Sequence, residues 1–113
     1  MSTKSIQKIL IVDDDPDIIK MLSHLIHYLK PKSKIYAANT QKKALELLNS
    51  HNFDLVISDY ELVDGKGTKI IMHPNNNGKK IGMSGQDRPK YKEICDVFLQ
   101  KPFGLNDLKK HLE

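Results

Sequence analysis

Tryptophan is absent from this chain, cysteine occurs once, and Arg88 is the only arginine. A lone cysteine, Cys95, can neither close an internal disulfide nor build a cysteine-based metal site. With Ile94 and Val97 close by in sequence, it reads as a buried structural thiol. No apolar run approaches the roughly 20 residues of a membrane span, and residues 1–8 lack the apolar stretch of a secretory leader. A cytoplasmic protein with no membrane partner is therefore expected. The net charge of +4 rests on lysines scattered along the whole chain. No basic element of the kind that grips nucleic acid stands out, so no direct nucleic-acid contact is expected.

What is present is the make-up of one globular domain. The 113 residues are 39% hydrophobic and 28% charged, and they suffice for about five strands and their covering helices. Short apolar runs alternate with amphipathic stretches. Ile9-Leu10-Ile11-Val12 is a buried-strand pattern ending in acid. Asp15-Pro16 then offers a helix cap followed by proline at the first helical position. Ile18, Leu22, Leu25 and Leu29 fall on one helical face, and Lys30-Pro31 ends that helix. Residues 34–38 form a weaker strand. Asn39 or Thr40 caps a second helix with Ala44, Leu47 and Leu48 inward. Leu55-Val56-Ile57-Ser58 is another buried strand, again followed by an acid, Asp59.

Beyond it, residues 64–67 read as a turn, about 68–72 as a short helix, and 75–78 as a loop. A fourth strand is expected over 80–84, a brief helix from Tyr91 to Cys95, and a fifth strand over 97–99. Leu105, Leu108 and Leu112 mark a terminal helix. Strands alternating with helices imply parallel pairing with right-handed crossovers. Because the chain ends with that helix, a single domain over 1–113 without an output domain is expected.

In an open parallel sheet, ligands bind beyond the carboxyl ends of the strands. Asp13, Asp14 and Asp15 follow the first strand, Asp59 follows the third, Ser84 ends the fourth and Lys101 follows the fifth. Carboxylates gathered at one edge repel one another unless a cation neutralises them, and an all-oxygen site suits Mg²⁺. A metal ion and the Lys101 ammonium would together balance the charge of a transferred phosphoryl group, and a carboxylate can be its nucleophile. Taken singly, each of these residues is more simply a cap, a turn or a surface charge; their order at successive strand ends carries the reading. His24 and His27 lie three apart on the first helix, but no third ligand is evident, and the remaining histidines likewise read as surface or packing residues.

Five stretches, Lys8-Ile-Leu-Ile-Val-Asp-Asp-Asp-Pro16, Phe53-Asp-Leu-Val-Ile-Ser-Asp-Tyr60, Asp64-Gly65, Met83-Ser-Gly85 and Phe98-Leu-Gln-Lys-Pro-Phe103, make the chain resemble the receiver domains of bacterial response regulators over essentially its full length. The resemblance implies a flavodoxin-like three-layer α/β/α sandwich with a five-stranded parallel sheet in the order 2-1-3-4-5. It implies that Asp59 accepts a phosphoryl group from a histidine kinase or histidine phosphotransfer protein. Asp14 would hold Mg²⁺ directly, Asp13 largely through water, and the Glu61 backbone carbonyl would complete the protein ligands. Lys101 would contact a phosphoryl oxygen, with its bond to Pro102 cis. Ser84 would move to the phosphoryl group and Phe98 would turn inward as the switch. Glu61 and Gln86 would flank the path of an attacking water and tune the phosphoryl lifetime. Such a domain is not a metabolic enzyme; it resets itself slowly and works as a monomer or a phosphorylation-dependent dimer.

The chain also departs from the family. The segments between Asp59 and Ser84 and between Ser84 and Lys101 run several residues short, so the third and fourth helices are expected to be shortened, which leaves open whether the fourth helix, fifth strand and fifth helix transmit the switch. A looser echo of haloacid-dehalogenase-like phosphatases in residues 13–17 lacks their threonine at position 17, a cap and a late acidic pair. A flavodoxin is disfavoured, since acids stand where a flavin phosphate needs donors. The principal alternative is a receiver-like interaction module that does not signal through phosphate.

Overall fold

The computed structural model describes residues 7–112. Most of the stretch read above as lacking a leader, and the last residue of the 1–113 domain, lie outside the described residues. The elements run β1 (Lys8–Val12), α1 (Pro16–Leu29), β2 (Lys34–Ala38), α2 (Gln41–Ser50), β3 (Leu55–Asp59), β4 (Glu61–Leu62), β5 (Gly65–Lys66), α3 (Thr68–Ile71), β6 (Lys79–Ser84), α4 (Pro89–Ile94), β7 (Val97–Gln100) and α5 (Leu105–Leu112). Five parallel strands form one sheet in the order β2-β1-β3-β6-β7. That is the expected 2-1-3-4-5 once the separate two-stranded β4–β5 hairpin is set aside.

β1 and β3 carry the apolar runs Ile9–Val12 and Leu55–Ile57 because helices cover both faces of the sheet. Alternation along the strands divides the core in two. Ile9, Ile11, Leu55, Ile57 and Ile81 pack with Leu22 and Ile26 of α1 and Leu108 and Leu112 of α5. Leu10, Val12 and Val56 pack with Ala44, Leu48 and Ile70 on the opposite side. Each of the Val, Leu and Ile side chains taken fully out of water contributes about 1.5–3 kcal/mol.

Local chemistry sets the helix ends. Asp15 accepts a hydrogen bond from the Asp17 amide at 2.9 Å, and Pro16 takes the first helical position, where no N–H is needed. Leu22 and Ile26 are the fully buried residues of α1, and Ile18, Leu25 and Leu29 pack against the same core, so all four expected residues face inward and Ile26 joins them. Thr40 caps α2 by accepting from the Lys43 amide at 3.1 Å. Asp64 reaches across from the hairpin and accepts from the Gln41 and Lys42 amides at 2.6 and 3.0 Å. Residues 64–67 are thus part of a hairpin, with Glu61 opposite Lys66, and not a simple turn.

The side of the sheet that carries α3 and α4 is trimmed. α3 has four residues and α4 six, beginning at Pro89 rather than Tyr91. Asn76, expected in a plain loop, is buried, and its amide donates to the carbonyls of Ile70 and Ile71 at 3.4 and 3.1 Å. It satisfies acceptors that a longer helix would have bonded internally. Cys95 is half-buried rather than buried. Burial and the nearby Asp96 push its thiol up to about 11, so it is unreactive near neutral pH. Leu105 starts α5 but stays exposed; Leu108 and Leu112 carry that helix's packing.

Candidate functional site

Strand register gathers the polar residues. Val12 pairs with Ser58, so Asp13 and Asp59 each stand one residue past the same rung. Ser84 pairs with Gln100, which puts Lys101 one step beyond. Backbone bonds extend the ladder past the strand ends: the Asp13 amide donates to the Ala38 carbonyl at 3.1 Å and the Lys101 amide to the Ser84 carbonyl at 2.7 Å. The groups are therefore held by the sheet and not by free loops. The Lys101–Pro102 peptide bond is cis.

Carboxylate oxygens of Asp13, Asp14 and Asp59 lie within 4.8 Å of one another. The Lys101 ammonium is 2.7 Å from Asp13 Oδ2 and 3.5 Å from Asp59 Oδ1. Asp13 is fully buried, and its Oδ1 accepts from the Asp15 amide at 2.9 Å. Both Asp13 oxygens are thus engaged, whereas Asp14 is exposed. Asp59 keeps 9% of its surface in solvent, and its Oδ1 accepts from the Tyr60 amide at 3.1 Å.

The electrostatics follow from the crowding. Burial, then repulsion from Asp13, pushes the Asp59 carboxyl up to about 6, although Lys101 pulls it the other way. Burial alone would lower the pKa of Lys101; its hydrogen bond to Asp13 and the charges of Asp13 and Asp59 outweigh that and hold it above the ordinary value. Three carboxylates face one ammonium, so negative charge is in excess, and it adds to the larger effect of burial in raising Asp59. An all-oxygen donor set with that excess fits a metal ion. Among the described residues this is the one such cluster; the histidines do not join it.

The other expected residues occupy different situations. Ser84 is buried, and its Oγ accepts from the Gln86 amide at 3.2 Å. The Gln86 side chain is exposed. Phe98 is partly exposed on β7, edge-on to Tyr91 at 6.3 Å between ring centroids. Glu61 opens the hairpin, and its carboxylate is tied to Arg88.

Two neighbours of the site were not singled out from sequence. Tyr91 is buried, and its hydroxyl donates to the Ser58 carbonyl at 2.8 Å, one residue before Asp59. A β-carbon on Gly82 would come within 2.6 Å of the Tyr91 ring, so a glycine in mid-strand makes room for it. A β-carbon on Gly67 would collide with the Asp59 carbonyl oxygen and crowd the Tyr91 hydroxyl at 2.7 Å. The strand glycine was the one sequence signal for this packing. Arg88 carried no comparable signal, because its partner is distant in the chain.

Comparison with known proteins agrees with this arrangement. A family model described as response regulator receiver domain matches residues 9–113. The two-component response regulator ARR18 of Arabidopsis thaliana is 41% identical over 120 residues, covering 90% of this chain and 17% of the relative. Its counterpart ARR12 from the same plant is 34% identical over 112 residues, covering 90% of this chain and 18% of the relative. The chain thus spans less than a fifth of the length of these two relatives. Among solved structures, the signal receiver domain of a DNA-binding response regulator from Colwellia psychrerythraea 34H superimposes with a TM-score of 0.85 at 25% identity, covering 94% of each chain. A CheY-like receiver domain protein from Methanospirillum hungatei JF-1 does so with a TM-score of 0.82 at 24% identity, covering 96% of this chain and 91% of the other; at that identity the likeness concerns the fold. By its matched family model, its sheet order and its acidic strand-end cluster, this chain belongs to the response regulator receiver domain family of two-component signalling.

Proposed function

We propose that the chain takes a phosphoryl group onto Asp59 from a histidine kinase or histidine phosphotransfer protein, in the presence of Mg²⁺, and that this changes its affinity for a partner protein. The meeting of Asp13, Asp14, Asp59 and Lys101 at one sheet edge carries the reading. An Asp59 oxygen attacks phosphorus, the bond from phosphorus to the donor imidazole breaks, and the imidazole leaves with its electron pair. Lys101 stays charged and balances the phosphoryl oxygens. Asp14, Asp59 and the Glu61 carbonyl would hold the metal ion directly, and Asp13, whose oxygens are already engaged, through water. The bound ion would supply charge neutralisation at the acceptor and the phosphoryl group.

Ser84 donates its hydroxyl to the phosphoryl group after leaving the Gln86 amide, and Phe98 follows it inward. The reset is hydrolysis: water attacks phosphorus, phosphate leaves and the carboxylate returns, with Glu61 and Gln86 setting the pace. The domain is accordingly a signalling element that resets itself, and it is not a metabolic enzyme. Mass spectrometry after incubation with acetyl phosphate and Mg²⁺ tests this: the wild type gains one phosphoryl group, and Asp59→Ala and a chelated sample gain none. The short α3 and α4 favour the second reading, a module that binds partners without phosphate; a wild type that gains no phosphoryl group under these conditions decides for it.

A further inference from the structure

Asp59 and Ser84 stand at the ends of β3 and β6, and the loops that follow them are tied together by one ion pair. Arg88 Nη2 donates to Glu61 Oε1. The same guanidinium lies over the Tyr60 ring, 4.6 Å from its centroid, and Lys66 Nζ approaches that ring at 5.2 Å. Among the described residues, Arg88 Nε is buried with no acceptor, and the guanidinium is held by Glu61 and the Tyr60 ring. Only 27% of the Arg88 side chain is exposed, against 58% of Glu61. Arg88 immediately precedes Pro89, the first residue of α4, so the pair pins the far end of the loop that starts at Ser84.

Glu61 lies two residues past Asp59. Glu61 stands outside the Asp13–Asp14–Asp59 cluster; unpaired, its carboxylate would add a negative charge on the loop leaving the acceptor, on the side an anionic phosphodonor must approach. An arginine is suited to the task because it is always charged and stacks on an aromatic face while it pairs with a carboxylate.

We propose that Arg88 is a positioning residue for phosphorylation of Asp59: paired with Glu61 across Tyr60, it cancels a carboxylate on the loop that follows the acceptor and holds the β6–α4 loop against it, and so sets the rate at which an anionic donor delivers its phosphoryl group. The inference rests on the functional reading above. It requires that the effect run through charge, which a purely structural role would not.

The test follows uptake of phosphate onto Asp59 from acetyl phosphate with Mg²⁺ in the wild type, Arg88→Ala, Arg88→Lys, Glu61→Gln and the Arg88→Ala/Glu61→Gln pair, at low and high salt. Arg88→Ala should slow uptake by about two- to fivefold at low salt, the size expected of a partly exposed pair. The gap should narrow as salt screens it. Glu61→Gln added to Arg88→Ala should restore most of the rate, and Arg88→Lys should retain it. A wild type that takes up no phosphate overturns both the functional reading and this inference. A competent wild type with Arg88→Ala unchanged, or slowed equally at all salt concentrations and not rescued by Glu61→Gln, overturns this inference alone. Should Arg88→Ala not fold, Arg88→Lys and Glu61→Gln decide: uptake in Glu61→Gln that is faster than the wild type at low salt and falls back towards it as salt is added supports the inference, and an unaltered rate and salt dependence overturn it.

Discussion

The two faces of the sheet are built to different standards. On one, α1 and α5 pack Leu22, Ile26, Leu108 and Leu112 onto the strands in regular helical fashion. On the other, α3 and α4 are cut to four and six residues, and single side chains replace missing helix. Asn76 closes the end of α3, and Tyr91 fills the gap above Gly82 and bonds to the Ser58 carbonyl. The acidic cluster belongs to neither face. It hangs from the strand ends and from ladder bonds that extend them, so helices can be shortened while the chemistry stays in place.

If that contrast is right, damage to the regular face should register as lost packing and damage to the trimmed face as a lost polar bond, with phosphate uptake spared in both. The largest stability effect is expected from Ile26→Ala, which leaves a cavity under α1 and should cost about 2–5 kcal/mol in urea unfolding. A cost near zero would mean that α1 does not seal the core as described. Tyr91→Phe keeps the ring and strands the Ser58 carbonyl; about 1–3 kcal/mol should be lost. Each variant, assayed well below its unfolding midpoint, should still take up phosphate on Asp59 within a few-fold of the wild type. Abolished uptake in Tyr91→Phe would show that the trimmed face is part of the site and not merely beside it.

The subtlest effect is on pH dependence. Burial, then repulsion from Asp13, pushes the Asp59 carboxyl up to about 6, from 3.8 for a free carboxyl. Between those values the folded protein holds a proton that the unfolded chain has released, so this group favours folding at low pH and the benefit is lost as pH rises through about 6. In chelator, stability should therefore decline over that window. Asp59→Asn should flatten the decline, and saturating Mg²⁺ should offset it by favouring the ionised form. An unchanged slope in Asp59→Asn would mean that another group titrates over that window.

Much of this was legible in the chain. β1 and β3 declared themselves because strands buried on both faces must be apolar throughout. The acids, serine and lysine were placed at one edge because parallel strands all end on the same side. The cap at Asp15 was legible, and that of α2 was narrowed to Asn39 or Thr40, since a cap acts over two or three residues; the structure selects Thr40. The β4–β5 hairpin was not, because two-residue strands leave no period to detect. Neither the Glu61–Arg88 pair nor the Tyr91–Ser58 bond was foreseen, as their partners stand 27 and 33 positions apart.

By itself, then, the sequence determined the alternation of strands and helices and the identity of the polar groups at the strand ends. Those depend on local propensity, on burial period and on the common direction of parallel strands. Tertiary structure alone decided that Asp13 shares its charge with Lys101, that Asp59 is left with a raised pKa, and that Arg88 closes over Tyr60 onto Glu61. Charge compensation depends on distances of a few ångströms between residues far apart in the chain, and only the packed sheet sets those distances.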